Sequence, residues 1–316
     1  MAFIEKENKR LHQYQRARKF TGSARDAMTH ILQSSKASDS RGIILPSYIG
    51  FSKIEGSGVF DPVRTSAIDY DFYTVDRQLR PDLTALEAQL RSGHFQLVFL
   101  IHYFGVPQVD VEAFVALCRR YNVKVIEDCA HTLLGGMEGR RLGTFGDFAI
   151  FSVHKSTATI DGGFFYDHHG ALDGFALSEH LRISAETLTE FINTDIKAAS
   201  RQRLRNYQAV QSWVRLIPQL RLMFDTIPDG AVPLNCPVIV DGGKREQLYF
   251  RLIESEIIPT ALYYTLIPEI TEQRFPEAHF VSANILNLPT HADIGDSDLP
   301  RYERALCEAV NEVFSK

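Results

Sequence analysis

Lys155 is the residue of this sequence whose type and surroundings best suit nucleophilic chemistry. It follows an apolar run, residues 148–153, that has the pattern of a buried strand, and it precedes Asp161-Gly162-Gly163. Partial burial lowers the pKa of an amine, and a neutral amine can form a Schiff base with a carbonyl compound. A solvated surface lysine is the commoner case. Position alone therefore leaves both interpretations open.

Asp128 is the second candidate, because it ends another predicted strand at residues 123–128. Open parallel sheets place ligand-contacting groups at the carboxyl ends of their strands. An aspartate at a strand end also commonly caps a turn or a helix. Asp128 is thus a candidate binding residue, with capping as the alternative.

The elements that must position these two residues alternate between strand and helix in the first half of the chain. Predicted strands cover residues 42–46, 65–69, 96–101, 123–128, 148–153 and 163–166, and predicted helices cover 23–32, 81–90 and 110–121. This alternation predicts an α/β fold with a mostly parallel sheet covered by helices. A mostly helical stretch follows through residue 219, and then a strand at 236–240 and helices at 245–255 and 299–314 suggest a smaller α+β unit. We predict a large domain over residues 1–200 and a small domain over 201–316.

Composition and residue spacing argue against several classes of protein. The formal net charge of -5 argues against non-specific nucleic-acid binding, which depends on basic patches. The four cysteines form no CxxC pair, and His168-His169 has no ligand partner at a suitable spacing, so we predict no metal site. No apolar stretch has the length of a membrane helix, and the N-terminal residues lack the apolar core of a signal peptide. We expect a cytoplasmic protein that binds small molecules.

The segment 125–163 contains several motifs in a fixed order. They are Glu127-Asp128-Cys129-Ala130-His131, the Gly-Arg-x-x-Gly-x-x-Gly-Asp pattern of residues 139–147, Phe151-Ser152, Lys155 and Asp161-Gly162-Gly163. Supporting motifs lie at residues 44–48, 102–107 and 285–291. Together they resemble the DegT/DnrJ/StrS family of sugar aminotransferases, and so many matched positions are far more specific than a lone glycine motif.

This resemblance implies the aspartate-aminotransferase fold (fold type I) and pyridoxal 5'-phosphate (PLP) as the cofactor. Lys155 would bind the cofactor covalently and move a proton, and Asp128 would pair with the pyridine nitrogen. His131 would lie near the ring oxygen O3'. The implied phosphate contacts are Ser152 and the start of a helix at Ser23, Ala24 and Arg25, and either Tyr48 or Phe51 would stack on the ring.

The sequence also departs from the family pattern. Ser152 and Lys155 are three residues apart where the family has five, which changes the position of Ser152 relative to the lysine. The arm that reaches across the dimer in relatives has no counterpart between residues 167 and 201. His154 could be a second proton-transfer group or could only close the shortened loop. The arginines at 201, 203 and 205 are interpreted as structural, and Tyr263, Tyr264 and His291 are candidate substrate contacts.

The predicted function is a PLP-dependent transaminase that moves an amino group from glutamate to a keto sugar or nucleotide-linked keto sugar. Such a reaction belongs to polysaccharide or secondary-metabolite biosynthesis, and relatives imply a homodimer. Two alternatives stay open. One is a PLP-dependent sugar dehydratase, which the presence of Lys155 disfavours. The other is a regulatory or scaffold protein that keeps the fold without turnover.

Overall fold

A seven-stranded sheet contains most of the residues singled out from the sequence. The structure, a computed structural model, describes residues 18–137, 139–157 and 159–315. The strands in chain order are β1 Lys19–Thr21, β2 Gly42–Pro46, β3 Tyr70–Tyr73, β4 Phe95–Ile101, β5 Lys124–Asp128, β6 Gly136–Met137, β7 Arg140–Arg141, β8 Phe148–Ser152, β9 Gly163–Asp167, β10 Leu220–Leu222, β11 Asn235–Val240 and β12 Ile285–Pro289. The large sheet has the order β1-β9-β8-β5-β4-β2-β3.

Strands β3, β2, β4, β5 and β8 run parallel. At one edge β9 pairs antiparallel with β8, and β1 pairs antiparallel with β9. Strands β2, β4 and β8 are almost continuously apolar and buried, as expected for parallel strands covered on both faces. The predicted α/β fold with a mostly parallel sheet is therefore confirmed.

Nine α-helices connect or cover the strands within the described residues. They are α1 Ala24–Ser38, α2 Phe60–Ser66, α3 Leu83–Leu90, α4 Val111–Arg120, α5 Ala185–Asn193, α6 Ile196–Val214, α7 Arg245–Glu254, α8 Pro276–Asn284 and α9 Leu299–Phe314. Side-chain caps fix several starts: Ser23 accepts a hydrogen bond from the Asp26 amide, and Asp110 accepts one from the Ala113 amide. The helices predicted at 23–32, 81–90 and 110–121 are present with shifted ends.

The strand predicted at residues 65–69 is wrong. Helix α2 ends at Ser66, Ala67 caps it in a left-handed conformation with φ of 49°, and the strand begins only at Tyr70. The β-branched Thr65 and Ile68 favour a strand locally. The aromatic residues of β3 pack better against β2, because they place Phe72 and Tyr73 in the core.

A second, antiparallel sheet of β10, β11 and β12 forms a separate hydrophobic core with α6, α7 and α9. Arg203 of α6 is buried there and donates to the carbonyl of Leu234, in agreement with the structural role predicted for it. The boundary predicted at residue 200 falls inside α6. The division into two domains at that point stays a prediction.

The described part of the chain contains no helix with the length and apolar character needed to cross a bilayer.

Candidate active site

Asp128 and Lys155 meet at the carboxyl ends of neighbouring strands. Strand β5 ends at Asp128, which lies opposite Ile150 of β8. Lys155 lies in a turn just after β8, which is fixed by bonds from the Ser156 and Thr157 amides to the carbonyl of Val153. The Asp128 carboxylate is close enough to raise the pKa of the Lys155 amine, which burial lowers more strongly. The two residues predicted from separate strands thus belong to one site.

The carboxylate of Asp128 is buried, with 6% of the residue exposed. Its Oδ1 accepts a hydrogen bond from the Ala130 amide at 2.9 Å, and its Oδ2 accepts none from any described residue. Burial raises the pKa of Asp128, whereas the Ala130 amide and the Lys155 amine lower it in part. A buried carboxylate with one uncommitted oxygen is suited to a cationic partner.

His131 connects Lys155 to the backbone. The Nδ1 atom of His131 accepts a hydrogen bond from the Phe104 amide at 3.1 Å, and its Nε2 atom lies 3.2 Å from the Nζ atom of Lys155. Burial, assisted by the nearby Lys155 amine, lowers the pKa of His131 well below its usual value. A neutral imidazole that accepts at Nδ1 carries its proton on Nε2. His131 therefore presents an N–H donor toward the site.

This tautomer bears on the contact with the lysine. Because Nε2 of His131 is a donor, a hydrogen bond with Lys155 requires Nζ to accept through its lone pair, which only the neutral amine has. Burial lowers the pKa of the Lys155 amine and thus favours this neutral, nucleophilic form relative to a solvated lysine.

The predicted phosphate contacts also lie close to one another. Ser152 pairs with Gly163 across β8 and β9, and Gly163 packs directly against the start of α1. A Cβ atom at Gly163 would lie 2.4 Å from the carbonyl carbon of Ser23 and 2.5 Å from the amide nitrogen of Ala24. Only glycine permits this approach, which brings Ser152 close to the N-terminus of the helix.

At that helix start, the backbone is better placed than the side chains to bind an anion. The Ser23 hydroxyl donates to Asp26, and the Arg25 guanidinium donates to the carbonyl of Glu55 at 2.8 Å. The amides of Ala24 and Arg25 have no hydrogen-bond partner among the described residues, as is usual for the first turn of a helix. The Oγ atom of Ser152 lies 3.3 Å from Nδ1 of His154, which is exposed.

The aromatic residue that contacts the site differs from the one expected from the sequence. Tyr48 has 0% exposure, its hydroxyl points to the carbonyl of Tyr263, and its own carbonyl accepts from Tyr103 at 2.6 Å. Tyr263 contacts the site instead, with its ring 6.2 Å from that of His131. Of the three candidate substrate contacts in the C-terminal part, Tyr264 packs under Arg245 and His291 binds Asn206 through its carbonyl. Of these three candidates, only Tyr263 is near His131.

Glu127, next to Asp128, holds the adjacent loop together. Its carboxylate accepts hydrogen bonds from the amides of Gly143, Phe145 and Gly146 and from His102. Burial raises the pKa of Glu127, but His102 and the backbone amides outweigh it, so that the net pKa is lowered. His102, Glu127 and Cys129 are close enough for a shared metal ion. Both oxygens of Glu127 are already fully bonded, so this cluster is structural.

Comparison with known proteins agrees with this geometry. The model of the DegT/DnrJ/EryC1/StrS aminotransferase family matches residues 9–183, more than half of the chain. A UDP-N-acetyl-3-dehydro-alpha-D-glucosamine 3-aminotransferase of Acidithiobacillus ferrooxidans is 26% identical over 144 residues, which is 45% of this chain and 37% of the relative. GDP-perosamine synthase of Escherichia coli O157:H7 is 23% identical over 248 residues, which is 69% of this chain and 65% of the relative. The matches thus span less than two thirds of either relative.

Solved structures show the same fold over nearly the whole chain. The aminotransferase TlmJ of Streptoalloteichus hindustanus superimposes with a TM-score of 0.78 at 21% identity and covers 94% of this chain and 87% of that one. The putative sugar aminotransferase Spr1654 of Streptococcus pneumoniae, in its PLP form, superimposes with a TM-score of 0.79 at 14% identity and covers 96% and 90%. These likenesses confirm the predicted fold.

The motifs, the fold and the family match agree with one another. The resemblance inferred from residues 125–163 is confirmed, and the chain belongs to the DegT/DnrJ/EryC1/StrS aminotransferase family.

Proposed function

We propose that this chain is a PLP-dependent aminotransferase that moves an amino group from glutamate to the keto group of a sugar, most simply a nucleotide-linked sugar. The observation that carries the proposal is the contact of the Lys155 amine with His131 at 3.2 Å beside the buried carboxylate of Asp128. Asp128 and His131 belong to one motif of the sequence, and Lys155 follows a different strand. Their meeting at one sheet edge supports a single site.

The site fits the cofactor in three respects. The Oδ2 atom of Asp128 has no hydrogen-bond partner among the described residues, and a protonated pyridine nitrogen would supply one. The amides of Ala24 and Arg25 at the start of α1 suit a phosphate group. Burial lowers the pKa of the Lys155 amine and so favours the neutral form that covalent attachment requires. When bound, PLP supplies an electron-accepting ring for the electrons released by deprotonation.

Each residue of the site would have a separate role toward the bound cofactor. The Asp128 carboxylate would hold a positive charge on the pyridine nitrogen. The Nε2–H group of His131 would donate to the ring oxygen O3', with its direction fixed by the Phe104 amide. The Lys155 amine would first bind the cofactor and, once released, would take and return a proton through Nζ. Ser152, Ser23, Ala24 and Arg25 would hold the phosphate end.

The chemical class of the amino-group acceptor is proposed from similarity to known relatives. The names of the two curated relatives describe a UDP-linked dehydro sugar and a GDP-linked product. The biosynthetic pathway, for a polysaccharide or a secondary metabolite, and the cytoplasmic location stay predictions from the sequence. The Lys155 amine beside His131 and Asp128 favours a transaminase over the two alternatives, because neither a dehydratase that lacks the lysine nor a scaffold needs an amine at this position.

We also propose a homodimer. Two isoleucines on loops beside the site are almost fully exposed: Ile54 at 95% and Ile160 at 91%. Glu55, next to Ile54, is close enough to influence the pKa of Lys155, so the loop of residues 52–56 lies near the site. Exposed apolar side chains in such a position are typical of interfaces. Light scattering should give twice the mass of the chain, and a single-chain mass at micromolar concentration would contradict the dimer.

The function is tested by adding glutamate to the purified protein loaded with PLP, without any acceptor. We expect the absorption band of the bound cofactor to disappear while 2-oxoglutarate forms in a 1:1 ratio to protein, because only the first half of the reaction can proceed. Tested dehydro sugars linked to UDP or GDP should then restore the band. A protein that binds PLP but produces 2-oxoglutarate neither from glutamate nor in the presence of sugar acceptors would not be a glutamate aminotransferase.

A further inference from the structure

Tyr263 belongs to the segment of residues 261–267, which lies between α7 and α8 and is fastened onto the loop after β2. Gly50 and Leu266 form an antiparallel bridge, the Phe51 amide donates to the carbonyl of Thr265 at 2.9 Å, and the Ile267 amide donates to Ile49. A residue more than two hundred positions after β2 is thereby held against the end of that strand.

The ring of Tyr263 occupies the space above Gly50. A Cβ atom at Gly50 would lie 2.9 Å from Cδ1 and 3.4 Å from Cε1 of Tyr263. Since real Cβ atoms almost never come so close to another carbon, any side chain at residue 50 would have to push the tyrosine ring aside. The absence of a side chain at Gly50 thus leaves the space that the ring of Tyr263 occupies.

The backbone of Tyr263 is held in an unfavourable conformation. Its φ of 61° lies in the left-handed region, which non-glycine residues rarely adopt. Its carbonyl accepts hydrogen bonds from the Tyr48 hydroxyl at 3.4 Å and from Ser282 at 2.9 Å, which hold it in place. Such outliers cluster at ligand sites, where the surrounding structure maintains them for a purpose.

The side chain of Tyr263 faces the predicted ring position. Its ring is 6.2 Å from His131 and 5.7 Å from Phe104, in edge-on arrangements. Burial, and to a smaller extent the Asp128 carboxylate, raises the pKa of its phenol. Tyr48 lies behind it, 5.1 Å away and without exposure. Tyr263 therefore separates Tyr48 from the group formed by Asp128, His131 and Lys155.

We propose that Tyr263 supplies the aromatic wall against the cofactor ring, in place of the Tyr48 or Phe51 expected from the sequence. Aromatic faces prefer an offset stacked arrangement, and a pyridine ring between Asp128 and Lys155 would offer one face to this tyrosine. Because Tyr263 comes from the C-terminal part of the chain, it would link that part to the cofactor. This inference rests on the proposed function, since it assumes that PLP binds at Lys155.

The test is a titration of the full-length apoprotein with PLP, followed by absorption, for four variants. We expect Tyr263→Phe to keep the affinity within about twofold, since the ring remains, and Tyr263→Ala to weaken it at least about fivefold. Gly50→Ala should weaken it similarly because its methyl group displaces the ring. The double variant Gly50→Ala/Tyr263→Ala should be no weaker than Tyr263→Ala alone, because both changes remove one contact. Tyr121→Ala, which changes a tyrosine at the end of α4 that bonds Glu87 and Arg91, is the control.

The possible results distinguish the proposed function from the proposed role of Tyr263. Wild-type protein without a Lys155-dependent band would overturn the proposed function. Wild-type protein that binds PLP, with Tyr263→Ala binding equally well or more tightly, would overturn only the role of Tyr263. Strictly additive losses in the double variant would also contradict it, because Gly50 would then act independently of the ring. Circular dichroism of each apoprotein shows whether a variant has folded, and a loss of PLP affinity well beyond twofold in Tyr263→Phe would likewise contradict a role that needs only the ring.

Discussion

Replacing Lys155 with alanine should remove covalent cofactor binding and slow the reaction with glutamate by about 10³-fold or more. The amine is both the attachment point and the proton carrier of the account, and positioned acid-base groups alone contribute roughly 10²- to 10⁴-fold. Stopped-flow absorption with glutamate measures the rate. The variant should fold, because the Lys155 amine makes one side-chain hydrogen bond among the described residues, the one with His131.

Lys155→Arg is the matched control for side-chain length. Arginine keeps a long basic side chain at the position but remains protonated and cannot form the covalent bond. We expect it to be as inactive as the alanine variant. Near-normal activity in either variant would show that another group performs the chemistry, with the exposed His154 as the first residue to examine.

Asp128→Asn should produce the second largest effect. The amide has nearly the same shape and can still accept from the Ala130 amide, but it cannot hold a positive charge on the pyridine nitrogen. Loss of one partner of a buried charge pair costs about 2–5 kcal/mol, which corresponds to at least about a 30-fold loss. We expect a slower half-reaction with glutamate, measured by stopped-flow absorption, and weaker cofactor binding, measured by titration.

Asp147→Asn is the structural control for Asp128→Asn. Asp147 is also buried at the same sheet, but its carboxylate accepts from the Val125 amide near the opposite end of β5. This variant should lower the melting temperature while leaving the affinity for PLP unchanged. Equal effects of the two substitutions on affinity would mean that Asp128 acts only through the stability of the sheet.

The core of the site could be predicted because its residues follow strands directly. Asp128 and Lys155 both lie at carboxyl ends of apolar runs, and topology alone brings such ends together. His131 is three residues from Asp128 in the same motif. The helix start at Ser23 was visible from its capping residue and the preceding glycine.

Other features depend on contacts between distant parts of the chain and were not predicted. The Phe104 amide fixes the tautomer of His131. Every residue other than proline has a backbone amide, so this contact cannot be recognised from residue types. Tyr263 reaches the site through backbone pairing with residues 49–51. The one available signal was Gly50, a glycine in a loop that leads away from a buried strand, where close approach of another group is a common reason for glycine.

The incorrect strand at 65–69 has a similar origin. Propensity at Thr65 and Ile68 was overridden by the packing of Phe72 and Tyr73 four to eight residues later. By contrast, the role of Glu127 could have been inferred, because a carboxylate at a buried strand end followed by a loop with two glycines often accepts several backbone amides.

The most direct test of the central claim is to identify the residue that carries the cofactor. The wild-type protein is incubated with PLP, reduced with borohydride to make the bond permanent, digested and analysed by peptide mass spectrometry. The account predicts one modified site, Lys155, and no modification in Lys155→Ala. Modification of other lysines alone, or none in the wild-type protein, would contradict the assignment of this site.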